Sequence, residues 1–232
     1  MALPISGSAE GAWEAIVGLK ARSARHPTET AADLNRIFRA GAPPEELDDR
    51  YEGILVMTTQ GPLDGVARRL TGLWMPWLGK RFDRTAGTGD NLLVTAAAVP
   101  ARLMWPRYTF RPVESGVLSA FDFRTYTAPG LADPDRAVLK IDYDLDVNPG
   151  FLIRDILDEL VEVGSRTYLG KVHMRRGSSW KMVGYFALRP SRVAQPQQDG
   201  LTVWDSGEVT EEPKPAPRRR TSRRGAAETG NP

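Results

Sequence analysis

Ala137, Leu139, Ile141 and Tyr143 alternate strictly with Val138, Lys140, Asp142 and Asp144. Successive side chains on a β-strand point to opposite faces, so a period of two specifies a sheet with one apolar and one wet face. The alternation recurs in Phe121 and Phe123 against Asp122 and Arg124. It returns in Tyr168, Gly170, Val172 and Met174 against Leu169, Lys171, His173 and Arg175. Arg176-Gly177-Ser178-Ser179 is a link of hairpin length to the last strand, which makes that pair antiparallel. From the glycine-rich turn at Gly87 to Gly89 almost to Pro190 the chain reads as sheet. Strands spaced by roughly 8 to 12 residues point to a closed or nearly closed barrel, because closure removes edges that invite aggregation. A sandwich satisfies the same pattern.

The segments before this sheet follow a different period. Trp13, Ile16, Val17 and Leu19, then Leu34, Ile37 and Phe38, fall near helical spacing and predict two short helices separated at His26-Pro27. Gly41-Ala42-Pro43-Pro44 stops the second. Tyr51 to Thr58, with Ile54, Leu55, Val56 and Met57, reads as a strand closed by Gln60-Gly61-Pro62. Leu63, Val66, Ala67 and Leu70 at i, i+3, i+4 and i+7 predict an inserted amphipathic helix that ends across Trp74 to Gly79. The expected organisation is a helical segment over 1–46, an antiparallel barrel over 47–190, and a disordered basic tail over 191–232. The fold class is thus mainly β, with N-terminal helices and one inserted helix.

Composition removes several function classes. The chain has no cysteine, which excludes disulfides, thiolate zinc sites and cysteine nucleophiles. His26 and His173 are its two histidines, too few for a histidine-rich metal site, so no cofactor is expected. The longest apolar stretch, Asn91 to Met104, is interrupted by Pro100 and Arg102 before it reaches the roughly 20 residues of a spanning helix. Met1 to Ile16 has neither a positive n-region nor a continuous apolar h-region. A cytoplasmic protein that makes no membrane contact is expected. The net charge is +2, and the last five arginines lie in Arg218-Arg219-Arg220-Thr221-Ser222-Arg223-Arg224. Nucleic acid or an acidic partner is therefore a candidate for the tail and not for the near-neutral body.

Asp49 to Asp83 carries a family resemblance. Pro62-Leu63-Asp64-Gly65 and Trp77-Leu78-Gly79-Lys80-Arg81-Phe82 resemble two segments of a bacterial family of unknown function named for a Gly-x-Trp-x-Gly motif. Asp49-Arg50-Tyr51-Glu52-Gly53 stands in the place of that motif and keeps its final glycine, with Tyr51 where the family has tryptophan. Lys140-Ile141-Asp142-Tyr143-Asp144 and Gly170 are similar to the β-rich domain that accompanies the family. The resemblance covers about half the chain. It implies a lipocalin-like barrel and carries no activity with it.

Candidate residues follow from where such a barrel would open. Trp74 and Trp77 flank Pro76 and would close one mouth over a ligand, although large aromatics more commonly pack. Lys80 and Arg81 would meet an anionic head group, or else form a solvated pair at a helix end. Tyr51, Arg124 and Tyr143 join Trp74, Trp77 and Lys80 as candidate ligand-binding residues. His173 is a candidate general base, provided that the face it shares with Lys171 and Arg175 is the interior and not the wet side. Asp142, Asp144 and Asp146, like Asp158, Glu159 and Glu162, read as solvated acids. Three functions fit these observations. The first is a module that binds a small apolar or amphipathic molecule in the barrel. The second is a cofactor-free isomerase or cyclase in which His173, Tyr143 or Arg124 moves protons. The third is a tail-mediated tether.

Overall fold

Period-two alternation builds the sheet as expected, and a computed structural model describes residues 9–59 and 77–191. The strands are β1 (Asp49–Thr58), β2 (Trp77–Asp83), β3 (Thr88–Val94), β4 (Arg111–Glu114), β5 (Val117–Pro129), β6 (Ala137–Asp142), β7 (Ile156–Gly164), β8 (Thr167–Arg176) and β9 (Ser179–Pro190). Each pairs antiparallel with its neighbours in the order β3-β2-β1-β9-β8-β7-β6-β5-β4, and β3 also pairs with β5. That last pairing closes an eight-stranded barrel of β1, β2, β3 and β5 to β9, with the short β4 added beside the start of β5. Arg176 pairs with Ser179 across the predicted hairpin, whose Gly177 takes φ 59°. A positive φ at the first turn position is what glycine supplies without steric cost.

Two helices cover part of the outer wall. In α1 (Ala9–Ser23) the buried side chains are Ala12, Trp13, Ile16 and Leu19, one stripe of the helix. α2 (Pro27–Ala40) starts on a proline, whose missing N–H is unneeded in a first turn, and buries Thr30, Leu34 and Phe38. These stripes form one apolar cluster with outward residues of the barrel such as Val56, Val161, Leu169 and Ala187. A separate cluster fills the barrel, with Tyr51, Phe82, Phe123, Leu160, Val172 and Phe186 among its members. The helices and the barrel belong to one compact unit, Met1–Val193.

Two sequence expectations are corrected. Trp77 to Gly79 does not end a helix but opens β2. Gly79 makes this possible: it takes φ 149°, and a Cβ there would lie 1.9 Å from the Tyr51 carbonyl oxygen. The sheet also does not run unbroken from Gly89, because Thr95–Ala97 forms a 3-10 turn and Ala98–Met104 forms α3. Consecutive alanines favour a helix, and Pro100 lies in its first turn, where the N–H has no intrahelical partner to lose. The expected inserted helix at Leu63 to Leu73 and the basic tail from 192 onward lie outside the described residues. No helix among the described residues is long and apolar enough to cross a membrane.

Candidate functional site

Lys80, which alternation on β2 turns inward with Phe82, is 1% exposed at the centre of the barrel. The pairing of β2 with β3 sets Asn91 directly opposite, and the pairing of β6 with β7 brings Asp158 to the same level. The Lys80 Nζ donates to Asn91 Oδ1 at 3.0 Å, to Asp158 Oδ2 at 3.0 Å, and to the Tyr143 hydroxyl. The Tyr143 hydroxyl in turn donates to Asp158 Oδ2 at 3.2 Å, and Asn91 Nδ2 donates to the Tyr143 oxygen at 3.2 Å. Trp77 Nε1 donates to Asn91 Oδ1 at 3.1 Å. Four rings surround the amine, with centroids 5.1 Å (Tyr143), 5.2 Å (Phe186), 5.4 Å (Phe123) and 5.5 Å (Trp77) from Nζ.

Two effects compete for the charge on this cluster. An ammonium among desolvated rings gains about 0.5–2 kcal/mol from each. Taking an ion out of water costs several kcal/mol, and both members of an ion pair bear that cost. Burial is the largest cause at each group, pulling Lys80 below its ordinary value and pushing Asp158 above its own, with their mutual attraction opposing both changes. The two directions agree: burial disfavours the charged form of both partners. Tyr143 is pushed well above its ordinary value, first by burial and then by Asp158, so it remains a phenol and a donor. Asp158 Oδ1 is buried and has no hydrogen-bond partner among the described residues. A buried polar atom left unpaired costs about 1–3 kcal/mol, so a role other than stability is the natural place to look for its reason.

Backbone geometry holds Asn91 in this position. β5 bulges opposite Asp90, and Phe121 at the bulge takes φ 55°, a left-handed conformation uncommon for a bulky residue. Its carbonyl accepts from Asn91 Nδ2 at 3.2 Å, and its N–H donates to the Tyr108 hydroxyl at 2.5 Å. The strained residue therefore anchors the amide that in turn holds Lys80 and Trp77. Gly53 leaves room for the Trp77 ring, since a Cβ there would lie 2.4 Å from it.

Beside the cluster, Trp77, Asn91, Leu93, Phe121, Tyr143, Ile153 and Ile156 line a cavity of about 20 Å³. That space admits about one water molecule. The roomy, greasy lumen expected from the alternation is thus replaced here by a narrow apolar slot with a polar wall. A second concavity, of about 800 Å³, opens where β2 and β3 turn, and Asp48, Asp83, Asp90, Asp122 and Arg81 line it over Phe82 and Phe123. Arg81 and Arg111 already pair with Asp90 and Asp122 there.

The candidate residues separate by face. Trp77, Lys80 and Tyr143 converge on the cluster, while Tyr51 lies elsewhere in the lumen, edge-on to Phe82 and Tyr168 at 5.6 and 5.5 Å. Trp74 lies outside the described residues. Arg81 is not a neighbour of Lys80 in function, because it points outward to Asp90. Arg124 is corrected in the same way: it sits on the outer wall and binds Asp142 Oδ2 through Nε and Nη2 at 3.0 and 2.7 Å.

His173 is neither in the lumen nor in water. It is 2% exposed on the outer wall, because Val172 and Met174 take the inward positions. Neighbouring Lys171 is capped by Asn35 of α2 at 2.6 Å and by Asp133 at 2.5 Å. The His173 Nε2 lies 3.9 Å from Glu159 Oε2, and Glu159 also binds Lys140 and accepts from the Leu131 N–H at 2.6 Å. Burial, helped by Lys140 and Lys171 against the pull of Glu159, lowers His173 to about 4. The barrel wall separates it from the lumen, so it moves no proton there.

Asn91 and Asp158 are site residues that sequence reasoning missed. The available signal was a polar residue set inside an apolar run, in Asn91-Leu92-Leu93-Val94 and in Ile156-Leu157-Asp158-Glu159-Leu160-Val161. Such residues are seldom fully buried unless paired. Among the described residues, no three His, Asp or Glu side chains are grouped to hold a metal ion.

The fold and the cluster define a closed antiparallel barrel with an amine, an acid, a phenol and an amide joined inside it. No family model matches the chain, and no curated protein matches it. A crystal structure of a protein from Thermomonospora curvata is similar over 75% of this chain and 99% of that one, at 16% identity and a TM-score of 0.43.

Proposed function

We propose that the barrel binds a small molecule with an apolar body and one oxygen-bearing head. The head meets Asn91 and Tyr143, and the body lies against Leu93, Phe121, Ile153 and Ile156. One observation carries this reading: a connected polar cluster with an unpaired Asp158 oxygen sits beside an apolar cavity in the interior of a small barrel. Stability alone favours apolar residues at such a place, since well-packed hydrophobic replacements of a buried ion pair are often neutral or stabilising. A few placed polar groups on an apolar wall are also the usual composition of a ligand site. The slot is tight, so a guest larger than water requires its apolar walls to move apart.

The test is a panel of short alcohols, aldehydes, fatty acids, retinoids and steroids read by thermal shift and native mass spectrometry. A binder in this panel raises the unfolding temperature of the wild type and does so less for Tyr143→Phe. Absence of any shift or bound mass across the panel would sink the proposal. An enzymatic reading retains Tyr143 from its original set of proton-moving residues, with Lys80 and Asp158 in place of His173 and Arg124.

A further inference from the structure

We propose that Lys80 forms an iminium with an aliphatic aldehyde held in the slot; this rests on reading the lumen as a ligand site. Three of the chain's six lysines, Lys80, Lys140 and Lys171, are buried. Lys140 is closed off against Glu159, and Lys171 against Asp133 and Asn35. Lys80 differs, because two of its hydrogen-bond partners, Asn91 and Tyr143, are themselves walls of the cavity. An aldehyde placed there meets Asn91 and Tyr143, the two cavity walls that touch the amine. An aldehyde carries one substituent where a ketone carries two, so it asks the smaller displacement of the apolar walls Leu93, Phe121, Ile153 and Ile156 around a space of about 20 Å³.

The remaining groups supply what the reaction needs. Imine-forming lysines are activated by desolvation, and burial acts in that direction on Lys80. The neutral amine attacks the carbonyl carbon, forming a C–N bond while the carbonyl oxygen takes up a proton. One proton comes from the amine nitrogen and one from the Asp158 carboxylic acid, and the oxygen leaves as water. The products are the iminium cation and the Asp158 carboxylate, so hydrogens and charge balance with no outside reagent. The cation is left where Trp77, Phe123, Tyr143 and Phe186 surround the nitrogen and Asp158 faces it. Tyr143 and Asn91 hold the carbonyl oxygen during attack.

The experiment incubates the full-length protein with butanal and sodium cyanoborohydride near neutral pH and maps the alkylated lysines by peptide mass spectrometry. Lys20 and Lys181, both exposed, serve as internal references. Lys80 is expected to be alkylated faster than either by at least about tenfold, as an amine held beside a bound aldehyde requires. Labelling of Lys20 and Lys181 without Lys80 would overturn the inference. Butanol, which cannot form an imine, separates this from the parent reading in native mass spectra. Butanol uptake without Lys80 labelling leaves the ligand site standing and removes the covalent step, whereas neither uptake nor labelling removes both. Lys80→Met should lose the label, and if that variant fails to fold the wild-type map decides.

Discussion

Lys80→Met keeps most of the side-chain volume, removes the amine, and leaves Asp158 alone in the lumen. The wild-type pair holds one proton in the folded protein whether it is charged or neutral. In the unfolded chain at neutral pH it also holds one, on the lysine, so the pair adds no slope to stability against pH. In the variant the folded state holds the Asp158 proton more tightly than the unfolded chain does, because burial raises this carboxyl above its ordinary value of 3.8. A raised acid stabilises fully below its unfolded value and loses that contribution as pH rises toward its folded value. Lys80→Met should therefore lose stability relative to wild type as pH rises above roughly pH 4, with a slope of at most about 1.4 kcal/mol per pH unit. Urea unfolding of both proteins between about pH 5 and 7 measures the difference. Adding Asp158→Asn to Lys80→Met should abolish the slope. A difference that does not change with pH would mean that Asp158 ionises freely in the variant, and the dry interior on which the site chemistry depends would be refuted.

Gly53→Ala places a methyl against the Trp77 ring and should destabilise by about 1–3 kcal/mol while breaking the Trp77–Asn91 hydrogen bond. Unchanged thermal stability and an unchanged tryptophan spectrum would contradict that packing. His173, lowered to about 4, is a base that the unfolded chain protonates first. Wild-type stability should therefore fall by about 3 kcal/mol as pH drops from about 6.5 to 4, and His173→Leu should remove that dependence. An identical acid limb in denaturant titrations of the two proteins would argue against the buried placement. Deleting Glu211 to Pro232 should abolish retention on heparin at low salt, because the run of arginines is concentrated there. Retention that survives the deletion assigns it to the barrel.

Strands with one covered face were legible in the sequence. On β6 the inward set Leu139 and Ile141 follows from alternation, as do Tyr168, Val172 and Met174 on β8. Both N-terminal helices were legible for the same reason, with a period of 3.6 and a proline at the start of the second. What alternation could not give is the nature of the opposite face. Lys140, Lys171 and His173 read as a wet face, yet α2 and the segment around Asp133 cover much of it. Coverage depends on where distant segments dock, which a local period does not encode. Trp77 and Tyr143 were chosen from the sequence as aromatics, and Lys80 as a cation. Their convergence depends on the registers of β2 with β3 and of β6 with β7.

β7 explains why the centre of the site stayed hidden. Its Ile156-Leu157-Asp158-Glu159-Leu160-Val161 has apolar pairs around an acidic pair and no period of two, as expected of a strand covered on both faces. A one-residue slip that carries Glu159 to the Asp158 position leaves apolar for apolar at two of these six positions and acid for acid at one, so hydrophobicity specifies the register only in part. The two acids specify the rest. In the observed register the shorter Asp158 meets Lys80 in the lumen, and the longer Glu159 meets Lys140 and the Leu131 N–H outside. The slip that pushes Glu159 into the Asp158 position, beside a slot with about 20 Å³ to spare, also sets Leu160 opposite Lys140 and takes the acid away from its outer partners. Each misplacement leaves a buried charge imperfectly paired, at a cost of several kcal/mol. The acid that equips the lumen for chemistry thus also sets the strand that carries it, and for this reason Asp158→Leu should disturb the pairing of β7 as well as the site.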